Sequence, residues 1–218
     1  GPLLIVAGAG SGKTKVLTTR IANIIKQKKA YPNQILAVTF TNKAAKEMQN
    51  RVSSILKKEA ISLSWLGTFH SISAKLLRKH AQAVNLNSNF SIIDQDDQLR
   101  LIKNICKAEN IDIKKISPTY ILSIIDNWKN KGWYPKNVKL KKNNILEKGF
   151  LNIYTIYQKK LIDLNVCDFS DLILHCVKIF EKYPDICKIY SKNFKYILVD
   201  EYQDTNLIQS KWLNYLTE

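Results

Sequence analysis

The chain has 218 residues, 45% of them hydrophobic, which is enough to bury the core of one large domain or of a domain carrying an insertion and excludes a disordered chain. Its net charge of +16 points toward a polyanionic partner. The apolar run 3–7 is too short for a membrane span or a signal-peptide core, so a soluble, cytoplasmic protein is expected.

The charge is unevenly spread. Residues 1–90 carry 14 basic side chains against Glu47 and Glu59, a balance of +12; residues 91–195 carry +7 and residues 196–218 carry −3. Only four of the 34 basic residues are arginine, and the chain is rich in Lys, Asn and Ile. Charge alone therefore leaves a solvated lysine surface as the alternative to nucleic acid. The cysteines, Cys106, Cys167, Cys176 and Cys187, have no C-x-x-C pairing, and they read as reduced, buried thiols rather than zinc ligands.

In chain order, residues 3–7 read as a short buried strand, and 13–28 as a helix in which Val16, Ile21, Ile24 and Ile25 share a buried side. A second strand and helix follow at 35–40 and 42–56, and a third pair at 64–68 and 71–84. This alternation predicts an α/β fold: a parallel sheet with helices on both faces. From 91 to 192 the strand signal vanishes and helical patterns cover 95–108, 118–129, 145–162 and 169–181, which predicts an all-helical insertion. Asp94 is the expected N-cap of the first of these, and Ser117-Pro118 a cap followed by proline at the first helical position. Residues 131–144, with Gly132 and Pro135, read as a loop. An apolar strand returns at 196–199 and is followed by a helix from about Asn206, so the chain comes back to its first sheet.

The segment Ala7-Gly8-Ala9-Gly10-Ser11-Gly12-Lys13-Thr14 lies between a predicted strand and a predicted helix. Glycines there let backbone N–H groups curl around phosphate oxygens. Lys13 would meet the outer phosphates, Thr14 would offer a hydroxyl to Mg²⁺, and the helix N-terminus adds a dipole favourable to an anion. Ala7 stands where the usual pattern has glycine, a small departure. In Leu198-Val199-Asp200-Glu201-Tyr202-Gln203-Asp204, two acids follow a strand, Asp200 standing 187 positions after Lys13. Asp200 is placed to hold the Mg²⁺ shell, and Glu201 to orient or deprotonate the water that attacks a γ-phosphate. Gln203 is counted with the nucleotide-contacting residues. A solvated acidic turn is the bland alternative, and it loses weight beside the glycine loop.

Four segments in order carry a resemblance: the glycine loop; Thr39-Phe40-Thr41-Asn42-Lys43-Ala44-Ala45-Lys46-Glu47-Met48; Gly67-Thr68-Phe69-His70-Ser71; and Val199-Asp200-Glu201-Tyr202-Gln203-Asp204-Thr205-Asn206. The chain resembles the UvrD, Rep and PcrA group of superfamily 1 DNA helicases over essentially its whole length, including Asp168-Phe169-Ser170-Asp171-Leu172-Ile173. The resemblance implies a P-loop, RecA-like domain called 1A, here residues 1–90 and 193–218, with a 1B insertion at 91–192. It also implies an ATP- and Mg²⁺-dependent motor that moves 3′ to 5′ along single-stranded DNA, unwinds duplex at single-strand/duplex junctions, and works in repair or replication near the bacterial nucleoid. Thr39, Phe40, Thr41, Asn42, Thr68 and His70 would line the DNA track, Phe40 by base stacking and the others by donating to phosphates. Phe69 is left between core and track. Trp128, Lys129, Lys131, Trp133 and Tyr134 read equally well as a DNA grip or as core aromatics with snorkelling lysines.

A motor of this group also has a glutamine segment before the glycine loop, and a second RecA-like domain whose arginine contributes about 10³–10⁵ in rate, so a piece without them is expected to hydrolyse ATP poorly. Two other classes stay open: a non-catalytic nucleotide- and DNA-binding remnant, and the front of a helicase–nuclease subunit.

Overall fold

The computed structural model describes residues 3–6, 12–57, 63–140 and 145–217. In chain order the elements are α1 (Lys13–Lys26), β1 (Ile35–Thr39), α2 (Asn42–Leu56), β2 (Leu66–Thr68), α3 (Phe69–His80), β3 (Ser91–Ile92), α4 (Gln95–Ala108), α5 (Pro118–Asn130), α6 (Ile145–Asp163), β4 (Val166–Cys167), α7 (Phe169–Lys182), α8 (Pro184–Asn193), β5 (Tyr196–Val199) and α9 (Leu207–Thr217). Two compact units result, one from Gly1–Ile72, Asp185–Thr205 and Tyr215–Glu218, the other from Ser73–Pro184 and Asn206–Asn214.

The first unit is built on a parallel sheet of order β2-β1-β5. Its central strand, Ile35-Leu36-Ala37-Val38-Thr39, is buried at every position, as a parallel strand covered on both faces must be. Ile35 and Ala37 pack with Ile21 and Ile24 of α1 and with Met48 and Val52 of α2. Helix α2 starts where Thr41 accepts a bond from the Ala44 N–H at 3.1 Å, and it ends where Lys57 turns left-handed. Pairing Thr39 with Thr68 and Val38 with Val199 brings the carboxyl ends of all three strands to one edge. Asp200 continues that register, its N–H bonded to the Val38 carbonyl at 2.9 Å.

In the second unit, α4, α5 and α6 enclose a core that includes Ile102, Ile105, Ile121, Ile125, Tyr154 and Tyr157. The expected caps are present: Asp94 accepts from the Asp97 N–H and Ser117 from the Tyr120 N–H. Asn206 and Gln209 cap the start of α9 reciprocally, each side-chain oxygen accepting the other's N–H.

Several expectations are corrected. Residues 3–6 form no strand; Leu3, Leu4, Ile5 and Val6 are 64, 74, 44 and 87% exposed, because this run pairs with no described strand and so has no sheet to bury its side chains. Ala7, the last residue of that reading, lies outside the described residues. Val16 is exposed, and Thr18 and Ala22 join Ile21 and Ile24 on the buried side of α1. The third helix begins at Phe69 and gives way to a 3-10 turn at Ala81–Val84. The 91–192 region is not wholly helical, since Ser91 pairs with Val166 and Ile92 with Cys167 in a two-residue parallel ladder too short to leave a periodic signal. Within the predicted loop, Pro135–Asn137 form one 3-10 turn, and 141–144 are outside the described residues. All four cysteines are buried, and burial pushes the Cys176 thiol up to about 12, so it stays protonated and unreactive.

Candidate functional site

The site begins at the start of α1. Gly12 has φ +89°, a left-handed conformation suited to glycine, and it supplies no side-chain cap; no acidic residue stands in the first turn. A helix that opens without a side-chain oxygen over its first N–H groups keeps those donors and its positive dipole end for an anion. Ala7, Gly8, Ala9, Gly10 and Ser11 lie outside the described residues. Behind the turn, the buried Thr18 hydroxyl is bonded to the carbonyls of Thr14 and Lys15, both at 3.0 Å.

The Lys13 ammonium reaches across 188 positions of sequence to the Glu201 carboxylate at 3.2 Å. Glu201 is itself left-handed, with φ +51°, and it opens the 3-10 turn Tyr202–Asp204. That turn carries the Gln203 amide back to donate to the same carboxylate oxygen. A cleft of about 590 Å³ lies here, lined by Gly12, Lys13, Thr14, Lys15, Arg51, Glu201, Gln203 and Asp204. Arg51, Lys15 and Asp204 were not legible as site residues. Arg51 in particular sits on α2 and is paired with Glu47 one turn earlier, which in sequence looks like an ordinary surface pair.

The two adjacent acids are driven apart. Burial, and then the neighbouring Glu201 charge, raise the pKa of Asp200, which is 7% exposed. The Gln203 amide, and then Lys13, hold Glu201 below the usual glutamate range. Neighbouring carboxyls with opposite shifts are suited to different tasks at one pH. Thr14 lines the cleft, whereas Asp200, which precedes Glu201 in sequence, is held at the sheet edge by its bond to Val38 and is not among the lining residues.

The residues expected along a DNA track gather at the same sheet edge, but they differ in what they present. Thr39 is fully buried and its hydroxyl donates to the Thr41 carbonyl at 3.1 Å, so it holds the turn after β1. Thr68, 8% exposed, is locked to Ser71: its N–H donates to the Ser71 Oγ at 2.9 Å and its Oγ1 accepts from the Ser71 N–H at 3.1 Å. Phe40 is half-buried, edge-on to Phe69 with ring centroids 5.6 Å apart; Phe69, 1% exposed, belongs to the core. Thr41 and Asn42 are exposed. His70 is partly buried, and that burial lowers its pKa, leaving a neutral imidazole at pH 7. Phe40, Thr41, Asn42 and His70 are thus the accessible members of the set.

The aromatic and basic stretch of the second unit resolves toward the core. Lys129 is 0% exposed, its ammonium 2.5 Å from Asp168 and 2.8 Å from Asp171, beside the rings of Tyr157 and Tyr154. Trp128 is 7% exposed and packs on Tyr154. Tyr134 is bonded to His175 and, like Trp133, is partly exposed; Lys131, 5.1 Å from the Trp133 ring, is exposed.

The family model described as "UvrD/REP helicase N-terminal domain" matches residues 1–218. The chain belongs to that family. It is 50% identical over 220 residues to a protein named DNA helicase II from Rickettsia typhi, with 99% of this chain and 33% of the relative covered. It is 48% identical over 219 residues to a probable DNA helicase II homolog from Rickettsia felis, at the same coverage. To the ATP-dependent DNA helicase PcrA of Bacillus subtilis it is 45% identical over 218 residues, covering 100% of this chain and 29% of the relative. The UvrD-type chain spans about a third of the length of these relatives. Among its described residues, no helix is long and apolar enough to cross a membrane.

Proposed function

We propose that this UvrD-type chain is the nucleotide-binding front part of an ATP-dependent DNA helicase that moves 3′ to 5′ along single-stranded DNA and opens duplex at junctions, in repair or replication. The observation that carries the reading is the meeting of Lys13 and Glu201 at the carboxyl edge of the parallel sheet, where ligands of such sheets bind. The left-handed Gly12, which places no side-chain cap on α1, the Lys13 ammonium and the 590 Å³ cleft suit a triphosphate. Mg-ATP, when bound, supplies the phosphoanhydride whose hydrolysis drives the motor.

In this reading the backbone of Ala7, Gly8, Ala9, Gly10, Ser11 and Gly12 cradles phosphates, and Lys13 neutralises the outer ones. Thr14 and Asp200 hold Mg²⁺. Glu201, kept anionic at neutral pH by Gln203 and Lys13, orients the attacking water and accepts its proton. Gln203 fixes that carboxylate, and Arg51 joins Lys13 and Lys15 as a third cation of the cleft wall. Phe40 stacks on a base while Thr41, Asn42 and His70 donate to the strand, with Thr39 and Thr68 keeping the two loops in shape. Such contacts ignore base sequence, as a translocating motor requires. A RecA-like 1A domain at 1–90 and 193–218, with a 1B insertion at 91–192, is the organisation proposed; the division into two compact units supports a two-part chain, with 73–90 and 206–214 grouped in the second unit and 185–192 in the first.

The test is the ATP turnover of the protein that carries this chain, with and without single-stranded DNA. Turnover stimulated by the strand is expected; turnover indifferent to it would refute the coupling.

A further inference from the structure

Helix α3 ends on three basic residues, Arg78, Lys79 and His80, and no acidic residue occurs from 60 to 93. After the helix the chain turns through Ala81–Val84, reverses at the left-handed Asn85 (φ 63°), and comes back alongside the helix end. Arg78 fixes the returning segment: its Nη1 donates to the Ser88 carbonyl at 2.9 Å and the Phe90 carbonyl at 3.1 Å, and its guanidinium lies 4.5 Å from the centre of the Phe90 ring. From the other side, the Asn87 N–H donates to Asn165 at 2.8 Å. A cleft of about 430 Å³ is held open between helix end and return, lined by Lys79, His80, Gln82, Asn87 and Ser88 together with Arg78.

The lining offers hydrogen-bond donors and positive charge, with no carboxylate. Lys75 stands one turn before Lys79 on the same helix, and the field of Lys79 adds to burial in lowering the pKa of both Lys75 and His80. With its pKa lowered, His80 is a neutral ring at pH 7, so the positive charge of the lining is that of Arg78 and of the exposed Lys79. Cations in the last turn of a helix also balance its dipole. That role, however, asks for no cleft, and it does not explain why Arg78 is committed to bracing the opposite wall.

We propose that this cleft is a second DNA-contacting surface of the chain, and that it holds the phosphate backbone of duplex rather than single-stranded DNA. Single strands are held by stacking bases on exposed aromatic faces. Here the nearby phenyl ring, Phe90, is 1% exposed beneath Arg78, so the cleft has donors for phosphates and no phenyl, phenol or indole platform for bases. A duplex hides its bases and presents phosphates, which matches. The inference rests on the DNA-binding reading above but concerns different residues.

Binding of the chain to a blunt duplex and to a single-stranded oligonucleotide, followed by fluorescence anisotropy over a salt series, tests it. Lys79→Ala is expected to weaken duplex binding several-fold, equally for unrelated sequences, and to reduce the salt slope by about 0.9, the contribution of one neutralised duplex phosphate. Lys79→Arg is expected to keep the slope, and single-strand binding to stay unchanged in both variants; thermal unfolding of the exposed Lys79 variants monitors folding. An unchanged duplex slope in Lys79→Ala overturns the proposal, and so does an equal loss on single strands. Duplex binding that depends on Lys79, in a chain with no affinity for single strands, upholds this cleft while refuting the single-strand track at Phe40.

Discussion

Replacing Lys129 by Met removes the one ammonium that lies between Asp168 and Asp171 and keeps nearly the same volume. Lys129, Asp168 and Asp171 are 0, 1 and 0% exposed. After the change the two carboxylates retain, among the described residues, the Tyr157 hydroxyl, the Asp171 N–H and the Gln158 amide as donors. Breaking a buried pair in this way costs about 3–5 kcal/mol. With a urea dependence of about 2–3 kcal/mol per molar, the midpoint of helix unfolding by circular dichroism should fall by about 1–2 M. The pH dependence has a defined sign. Burial opposes the Lys129 charge, but Asp168 and then Asp171 outweigh it, so its folded pKa is raised; its contribution is full below the unfolded lysine pKa and is lost as pH rises through the folded value. Burial, and then Asp171, raise Asp168, so Asp168 favours folding in acid and loses that contribution as pH climbs through its folded value. Acid should therefore return part of the stability of Lys129→Met by discharging a carboxylate. Combining it with Asp168→Asn and Asp171→Asn should recover most of the loss, since no buried charge is then uncompensated. A midpoint unchanged by Lys129→Met alone would refute the reasoning.

Three further outcomes follow from the first unit. Gly67→Ala would set a Cβ 2.5 Å from the Ser71 Oγ, displacing the hydroxyl that ties Thr68 to the start of α3; a loss of about 1–3 kcal/mol in thermal or urea unfolding is expected, and wild-type stability would contradict it. Phe40→Ala should weaken single-stranded DNA binding by about 1–3 kcal/mol for the lost stack, read by anisotropy; equal affinity would return Phe40 to a packing role beside Phe69. In carboxyl NMR titrations Asp200 should titrate above the usual aspartate range and Glu201 below the usual glutamate range, with Gln203→Ala moving Glu201 upward. Mg²⁺ affinity should accordingly rise with pH as Asp200 loses its proton, and coincident, ordinary titrations of the two acids would rule this out.

Much of the first unit was legible because its signals are local. Helix α2 runs from Asn42 to Leu56 as expected, with Thr41 as its cap and Ala45, Met48 and Val52 at helical spacing on its buried side. The strand at 196–199 is as expected, and the motif after it carries Glu201 to Lys13. What could not be read depends on distant partners. Residues 3–6 have the composition of a buried strand but no described neighbour to pair with, and Ser91–Ile92 gains its pairing from Val166–Cys167, about 75 positions on. Lys129 looks like a surface cation among lysines until Asp168 and Asp171, 39 and 42 positions later, close around it. Arg51 joins the cleft only because α2 brings it there.

The central claim is that Gly12, Lys13 and Thr14, facing Glu201, hold the phosphates of Mg-ATP. Its most direct test is the equilibrium binding of Mg-ATP to the chain by calorimetry, wild type against Lys13→Ala. Saturable binding by the wild type is expected, and Lys13→Ala should abolish it with the fold retained, because Lys13 is not part of the core around Ile21 and Ile35. Mg-ATP bound with equal affinity by both proteins would contradict it.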